Sequence, residues 1–381
     1  MKMVPLGEVA TIERSGVDPT VLDRDTPYLG LEHITPGGPI REYSSVGRAE
    51  LTSTKFMFDE RQVLFGKLRP NLGKIARPDR AGVCSTDILP ITPSTRLDRG
   101  YLAHCLSQPS MVAFAASRTS GANLPRLSPG VLATFEVPLP RIEEQRRIAA
   151  ILDQADAIRA KRRQVLAHLD ALTQSIFHDM FGDVRRNELG FGTATVADVA
   201  DRVTDGEHKT PRRSDSGVPL LSARNVRDGW IDFANTDFVD ELEYATLSRR
   251  IEPQVGDVLI SCSGTIGRVA QVRGPERFAM VRSAALVRPG DAVHPTFLEH
   301  HLASPPLRAL MVARANSSAQ ANLFQNQINR LPVLIPPLAL QNEFASRVDL
   351  VRAERTGVQD SMRTLTELFA SLQSRAFRGE L

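Results

Sequence analysis

Two loops carry residue types suited to holding an anion. Ser261-Cys262-Ser263-Gly264-Thr265-Ile266-Gly267-Arg268 follows one β-rich run, and Gly66-Lys67-Leu68-Arg69-Pro70-Asn71-Leu72-Gly73-Lys74 follows another. Glycines let the backbone approach a ligand and expose its N–H groups, and a cation at the end of the loop suits phosphate. Neither loop ends in Gly-Lys-Ser/Thr, so neither is a nucleotide-binding P-loop. A plain tight turn explains either loop alone; recurrence at equivalent points in both halves favours a shared binding role. Further polar clusters fall in loop-like stretches at His208 to Arg213, at Arg224-Asn225 and from Gln320 to Gln327. Solvated loops are commonly this polar. Arg and Lys match phosphates or guanine edges, however, and Asn and Gln match adenine edges. The candidate nucleic-acid contacts are Lys67, Arg69, Asn71, Lys74, Asn123, Lys209, Arg212, Arg213, Arg224, Asn225, Ser263, Thr265, Arg268, Gln320 and Asn322.

Residues for bond chemistry are missing from the sequence. It has no HExxH zinc helix, no Gly-x-Ser-x-Gly elbow, no Walker loop, and no adenosylmethionine loop paired with an Asn-Pro-Pro-Tyr-type tetrapeptide. His300 and His301 are adjacent, which on a helix turns them to different faces and argues for helix surface over a metal site. Cys84, Cys105 and Cys262 are widely spaced with no CxxC, and read as small buried hydrophobes. No catalytic residue, metal or bound cofactor is expected in this chain.

The elements that position these loops occur twice. Val9-Ala10 recurs as Val199-Ala200; Val63-Leu64 before Gly73-Lys74-Ile75-Ala76 recurs as Val258-Leu259 before Gly267-Arg268-Val269-Ala270; Ala122-Asn123-Leu124 recurs as Ala321-Asn322-Leu323. From Val137/Val333 onward the offset is a constant 196 residues, through Pro140/Pro336, Gln145/Gln341, Leu169/Leu365 and Phe181/Phe377. The chain is a tandem duplication. Each copy opens with a mixed α/β globular part: Gln62 to Phe65, Asp257 to Ser261 and Ala284 to Arg288 read as strands, Tyr101 to Ser107 and Phe297 to Ala303 as helices.

Each copy closes with a long apolar stripe. Ile148, Ile151, Ala155, Ile158, Arg162, Val165, Leu169, Leu172 and Ile176 alternate steps of three and four, as do Phe344, Val348, Val351, Arg355, Val358, Met362, Leu365, Phe369 and Leu372. Both runs follow proline stops and contain no Pro; Gly182 ends the first. Helices of roughly 35 to 40 residues would form rods of roughly 50 to 60 Å. One such helix would pack on its own globular part. Two of equal length favour each other, and connectivity makes them antiparallel, with Arg162 and Glu354 placed to set the register.

The chain has 381 residues, 42% apolar and 24% charged, which suits a globular protein of two domains. A net charge of +3 permits a polyanionic partner without demanding one. One Trp and four Tyr leave few stacking platforms, which favours duplex over single strands. The N-terminal run has no signal-peptide core and no window spans a membrane, so a cytoplasmic location is expected.

Several of these segments together resemble the specificity subunit of type I restriction-modification enzymes. They are Pro27-Tyr28-Leu29-Gly30-Leu31-Glu32-His33-Ile34, Val63-Leu64-Phe65-Gly66-Lys67-Leu68-Arg69-Pro70, Ser263-Gly264-Thr265-Ile266-Gly267, Pro138-Leu139-Pro140 leading to Glu144-Gln145, and Ala376-Phe377-Arg378-Gly379-Glu380-Leu381. Leu340 stands where Glu144 stands in the first copy, a departure from the pattern. The resemblance implies an α+β fold: two pseudo-repeated target recognition domains (1–140 and 186–337) joined by two long antiparallel helices (141–185 and 338–381) in a coiled-coil rod. Each domain would read one half of a bipartite, asymmetric site on double-stranded DNA, the halves about one helical turn (roughly 34 Å) apart. Two methyltransferase subunits would dock on the helices and globular parts, flip an adenine and use adenosylmethionine; a motor-nuclease subunit using ATP and magnesium is an optional further partner. A coiled-coil adaptor that binds no DNA and a detached recognition half of a nuclease-methyltransferase are the alternatives.

Overall fold

The computed structural model describes residues 1–121, 123–207, 210–315 and 321–381. In each copy one strand is buried at every position, Val63–Gly66 in the first and Val258–Ser261 in the second. Side chains alternate across a strand, so such a strand must be covered on both faces. Leu64 meets Leu29, Phe58 and Ile88 on one face, while Val63 and Phe65 meet Leu6, Leu102 and Leu106 on the other. Leu259 joins Leu221, Ala270 and Leu286, and Val258 and Ile260 join Val196, Leu298 and Leu302 in the same manner.

The central strand is third in a four-stranded antiparallel sheet whose order is the same in both copies. The first runs Ala10–Ile12, Ile88–Pro93, Val63–Gly66, Ile75–Ala76; the second runs Ala200–Asp205, Ala284–Pro289, Val258–Ser261, Val269–Gln271. A second sheet contains a parallel pair, Pro27–Leu29 with Gly82–Cys84 and Val218–Leu221 with Ala279–Met280. The copies diverge beside it. The first adds Lys55–Phe58 and Gly16–Val17 to this sheet, whereas the second carries the helix Glu241–Leu247 between the same flanking strands. The helix lies where the offset passes from 192 at Pro27/Pro219 to 195 at Val63/Val258. Helices Arg99–Leu106 and Pro295–Ala303 cover the four-stranded sheets, capped by the side chains of Asp98 and His294. All three cysteines are buried, and burial pushes the Cys262 thiol up to about 12.

The long helices are Ile142–Phe181 and Leu338–Arg378. Glu143 and Glu144 in the first turn favour the helix dipole, and Gly182, at φ 70°, stops the chain as a left-handed cap. The chain divides into two compact units: Met1–Gln164 with Gln359–Leu381, and Val165–Val358, so each contains a segment of both helices. Within each unit the segments run antiparallel. In the first, Arg147 donates to the Leu381 carbonyl at 2.7 Å and the Arg159 guanidinium lies 4.5 Å above the Phe369 ring. In the second, Phe177 and Phe181 pack edge-on against Phe344, and Arg355 donates to Asp170 at 2.8 Å.

One buried side chain fastens each helix to its globular part. Gln145 accepts from the Asp98 N–H at 2.8 Å and donates to the carbonyls of Arg96 and Pro140, both at 2.9 Å. Gln341 repeats this, accepting from the His294 N–H at 2.8 Å and donating to Ala292 at 3.2 Å and Pro336 at 2.9 Å. Both glutamines are fully buried. Each therefore satisfies backbone groups at the helix start and in the loop that caps the globular helix.

The seam of the first helix differs from the heptad expectation. Ile148 is buried and Ile151, Ala155 and Leu169 are half-buried, but Ile158 (42%), Val165 (37%) and Leu172 (44%) are exposed. The covered positions are instead Leu152, Arg159, Leu166, Thr173 and Phe177. They keep the seven-residue spacing of a heptad but lie one residue toward the C-terminus of the predicted positions, so the seam is turned by about 100° on the helix rather than changed in period. On the second helix Val358 is buried and Val351, Leu365 and Leu372 are half-buried. Arg162 and Glu354 are both exposed, and the ion pair between helices in the second unit is Arg355 with Asp170.

The histidine pair also departs from expectation. His301 is buried with Nε2 3.0 Å from the Pro332 carbonyl, and His300 sits edge-on to Phe344 beside Arg352. Both face the interior because the helix is covered on one side by a strand and on the other by the long helix. Burial holds each imidazole down at about 4.

Two outcomes follow. Gln145→Leu leaves a buried N–H and two carbonyls unpaired and should cost about 2–4 kcal/mol in chemical denaturation; a cost under about 1 kcal/mol would contradict the clamp. A histidine held neutral in the fold binds its proton first in the unfolded chain. The contribution of His300 and His301 is thus complete above about pH 6.5 and lost as pH falls toward 4. The melting temperature should decline between pH 7 and 5, and the decline should flatten in a His300→Gln/His301→Gln variant; a midpoint constant over that range argues against it.

Candidate nucleic-acid interface

In the second unit the glycine-rich loop is built around Ser261. Its hydroxyl donates to the Thr265 carbonyl at 2.6 Å and accepts from the Arg268 N–H at 2.9 Å, while the Gly267 N–H donates to its carbonyl at 3.0 Å. Gly264 (φ 66°) and Gly267 (φ 81°) take backbone conformations that a side chain would strain. Outside this ring the Ser263 and Thr265 side chains border a cavity of about 510 Å³, which Arg224, Arg227, Arg268 and Ser283 also line. Asn322 reaches the same loop through a bridge to Ser263, and its buried Oδ1 has no partner among the described residues. Five predicted residues are thereby gathered: Arg224, Ser263, Thr265, Arg268 and Asn322. Arg227 and Ser283 were missed; Arg227 lies one turn past Arg224, and its charge was the available signal.

The first unit presents the counterpart loop on the end of Val63–Gly66. Leu68 bridges to Arg126, the Arg69 N–H donates to the Pro125 carbonyl at 2.9 Å, and the Leu127 N–H donates to Lys67 at 3.0 Å. These bonds bring the segment that carries Asn123 alongside Lys67, Arg69 and Asn71. Asp87 anchors the arrangement by accepting from the Arg126 Nε at 2.9 Å. Arg69 holds a positive φ of 49° just before Pro70, a costly conformation for a residue with a side chain. Its side chain, like those of Asn71 and Asn123, is exposed. Lys67, Arg69 and Arg268 have no carboxylate partner among the described residues, which leaves their charge available to an anion.

Other predicted residues are placed differently. Asn225 is 1% exposed; its amide donates to the Asp232 and Asn235 carbonyls and accepts from the Ser222 N–H. It is a structural brace, because a residue with every polar atom engaged inside a turn has none to offer a ligand. Lys74 donates to the Leu31 carbonyl at 2.7 Å. Arg212, Arg213 and Arg224 are exposed but paired, the first with Asp240 and the other two with Asp237. Lys209 and Gln320 lie outside the described residues. Among the described residues no cluster of His, Cys, Asp or Glu could hold a metal, and no helix is long and apolar enough to cross a membrane.

The sequence model of the type I restriction modification DNA specificity domain matches residues 1–168. The specificity subunit of the type I restriction enzyme EcoKI of Escherichia coli K12 is 24% identical over 315 residues, covering 76% of this chain and 67% of the relative. The EcoDI specificity subunit of Escherichia coli is 29% identical over 162 residues, 41% of this chain and 36% of the relative. These alignments thus span about two thirds or less of each relative. The fold is shared with the type I S subunit from M. genitalium (TM-score 0.62, 14% identity, 99% of this chain and 96% of that one). It is also shared with a chain solved in work on complex assembly and conformational transition of the type I R-M system (TM-score 0.58, 19% identity, 100% and 98%).

The strained arginine offers a test. Arg69→Gly removes a backbone penalty of about 1 kcal/mol and an exposed cation together. Thermal stability should rise by about 2–4 °C while elution from heparin moves to lower salt. A variant that melts lower, or elutes unchanged, would contradict the role given to this loop.

Proposed function

We propose that this chain, whose residues 1–168 match the type I restriction modification DNA specificity domain, reads a bipartite, asymmetric double-stranded DNA site, one half-site per globular part. The observation that carries this reading is the doubled loop. Lys67 and Arg69 stand free on one copy, and Arg268 joins Arg224 and Arg227 around the cavity of the other. Phosphate contacts from these cations position the duplex; hydroxyls and amides at Ser263, Thr265, Asn322, Asn71 and Asn123 read groove edges. Two unlike sets of side chains on one scaffold suit two unlike half-sites.

The chain acts as a non-catalytic reader. In this reading it binds two methyltransferase subunits, which hold adenosylmethionine, and it accepts a motor-nuclease subunit that uses ATP and magnesium. It works in the cytoplasm and itself holds no cofactor. Replacing Lys67, Arg69 and Arg268 by Ala should weaken DNA binding and reduce the salt slope by about 0.9 for each phosphate that is no longer neutralised. Co-expression with the methyltransferase and genome-wide mapping of methylated adenine should return one two-part motif with a fixed gap. Methylation that ignores the presence of this chain, or a triple variant with unchanged affinity and salt slope, would favour a protein-only adaptor.

A further inference from the structure

Beside the common glutamine clamp, the charges that join globular part and helix are exchanged between the copies. In the first unit the globular part supplies cations and the helix supplies anions. Arg77 grips both Asp153 oxygens at 2.9 and 2.6 Å, and His104 Nε2 lies 2.7 Å from the same carboxylate. Asp156, one turn on, adds to the negative field at Arg77. Burial alone would raise the Asp153 carboxyl, but bonds from His104 and Arg77 hold it well below the usual range. In the second unit the globular part supplies the anion. Glu299, 1% exposed, ion-pairs with its neighbour Arg273 and, at 2.8 Å, with Arg352 of the helix; it also accepts from the Gln271 N–H at 3.0 Å.

At an offset of 196, His104/His300 and Asp153/Asp349 are the same in both copies, and each copy has an arginine just after the equivalent edge strand, Arg77 in the first and Arg273 two residues further along in the second. The exchange rests on two pairs of positions: Ala103 and Asp156 in the first copy, Glu299 and Arg352 in the second. Crossing them is unfavourable in either direction. Glu299 against the first helix would set a third carboxylate beside Asp153 and Asp156, whose partners Arg77, His104 and Arg159 are already engaged. Arg352 against the first globular part would meet Arg77 across a small alanine. Buried charge left without its partner is among the costliest local defects a fold can carry.

We propose that these four residues form a charge code assigning each globular part to its own helix, so that a recognition unit is accepted only where the facing helix carries the matching residue. The interaction surface is the buried contact of Arg99–Leu106 or Pro295–Ala303 with the long helix, and the partner that it selects is a helix of complementary charge.

The test transplants the code within the full-length chain. Ala103→Glu alone and Arg352→Asp alone should each lower the melting temperature by about 5–10 °C. The doubles Ala103→Glu/Asp156→Arg and Glu299→Ala/Arg352→Asp rebuild the other copy's cluster and should recover at least half of the loss. Ala103→Gln separates size from charge and should melt well above Ala103→Glu. Where a single variant does not fold, a chain with residues 1–140 in place of 186–337 serves instead: its soluble yield and melting temperature should rise when Arg352→Asp is added. Doubles that show only the sum of the single losses, or a graft indifferent to residue 352, would overturn the proposal.

Discussion

The three hydrogen bonds made by each buried glutamine are the constraint on which the rest of the structure depends. The chain leaves the last strand through a proline bend, where carbonyls lose their sheet partners, and it enters a helix whose first N–H groups have none. Gln145 and Gln341 close this gap with one side chain, tying the proline carbonyl to the loop that caps the globular helix. The amide is long enough to reach three backbone groups and carries no charge to desolvate, so it can be wholly buried where Glu or Lys could not. Its geometry admits no inserted residue between the last strand and the helix start, where the offset between copies is constant.

Upstream of that point the constraint relaxes, and the copies separate where relaxation is cheapest. The four-stranded sheets keep their order because the central strand is covered on both faces, and a slip of one residue would exchange two cores at once. The second sheets keep only a shared nucleus. An added pair of strands in one copy stands against a helix in the other, and the loops at the ends of the central strands keep their backbone plan while their side chains differ. Gly264 and Gly267 supply positive φ in one loop; Arg69 accepts it at a cost in the other. A rigid scaffold with divergent rims is what two different surfaces on one plan require.

Much of this was visible in the residues. The duplication, the central strands, the covering helices and the buried cysteines follow from patterns that solvent exclusion imposes directly. The seam of the first helix was harder, because apolar residues adjoin other candidates at Ile151-Leu152, Ile158-Arg159, Val165-Leu166 and Leu172-Thr173. A heptad template accepts the first of each pair, while packing takes the second. Arg159 is covered by stacking on Phe369, a role that no apolar pattern selects. Asn225 and the pair His300-His301 misled for a related reason. Polar type suggests solvent or ligand, yet each lies where backbone carbonyls or a facing helix receive it. Of the candidate contacts, those on the glycine-rich loops were legible because glycine spacing and charge coincide there. Arg227 was not, since its place at the cavity depends on how the Val226–Ile231 turn folds back.

The division of the helices has a consequence for synthesis. The second unit is one continuous stretch, Val165–Val358, whereas the first is assembled from Met1–Gln164 and Gln359–Leu381. Ala376 is fully buried in the core that contains Val4 and Leu6, and Gln373 donates to the His104 carbonyl at 3.0 Å. The unit translated first is therefore completed last. Until its closing helical segment leaves the ribosome, the helix Arg99–Leu106 of the nascent chain lacks the cover that Phe369, Gln373 and Phe377 later give to Tyr101 and His104.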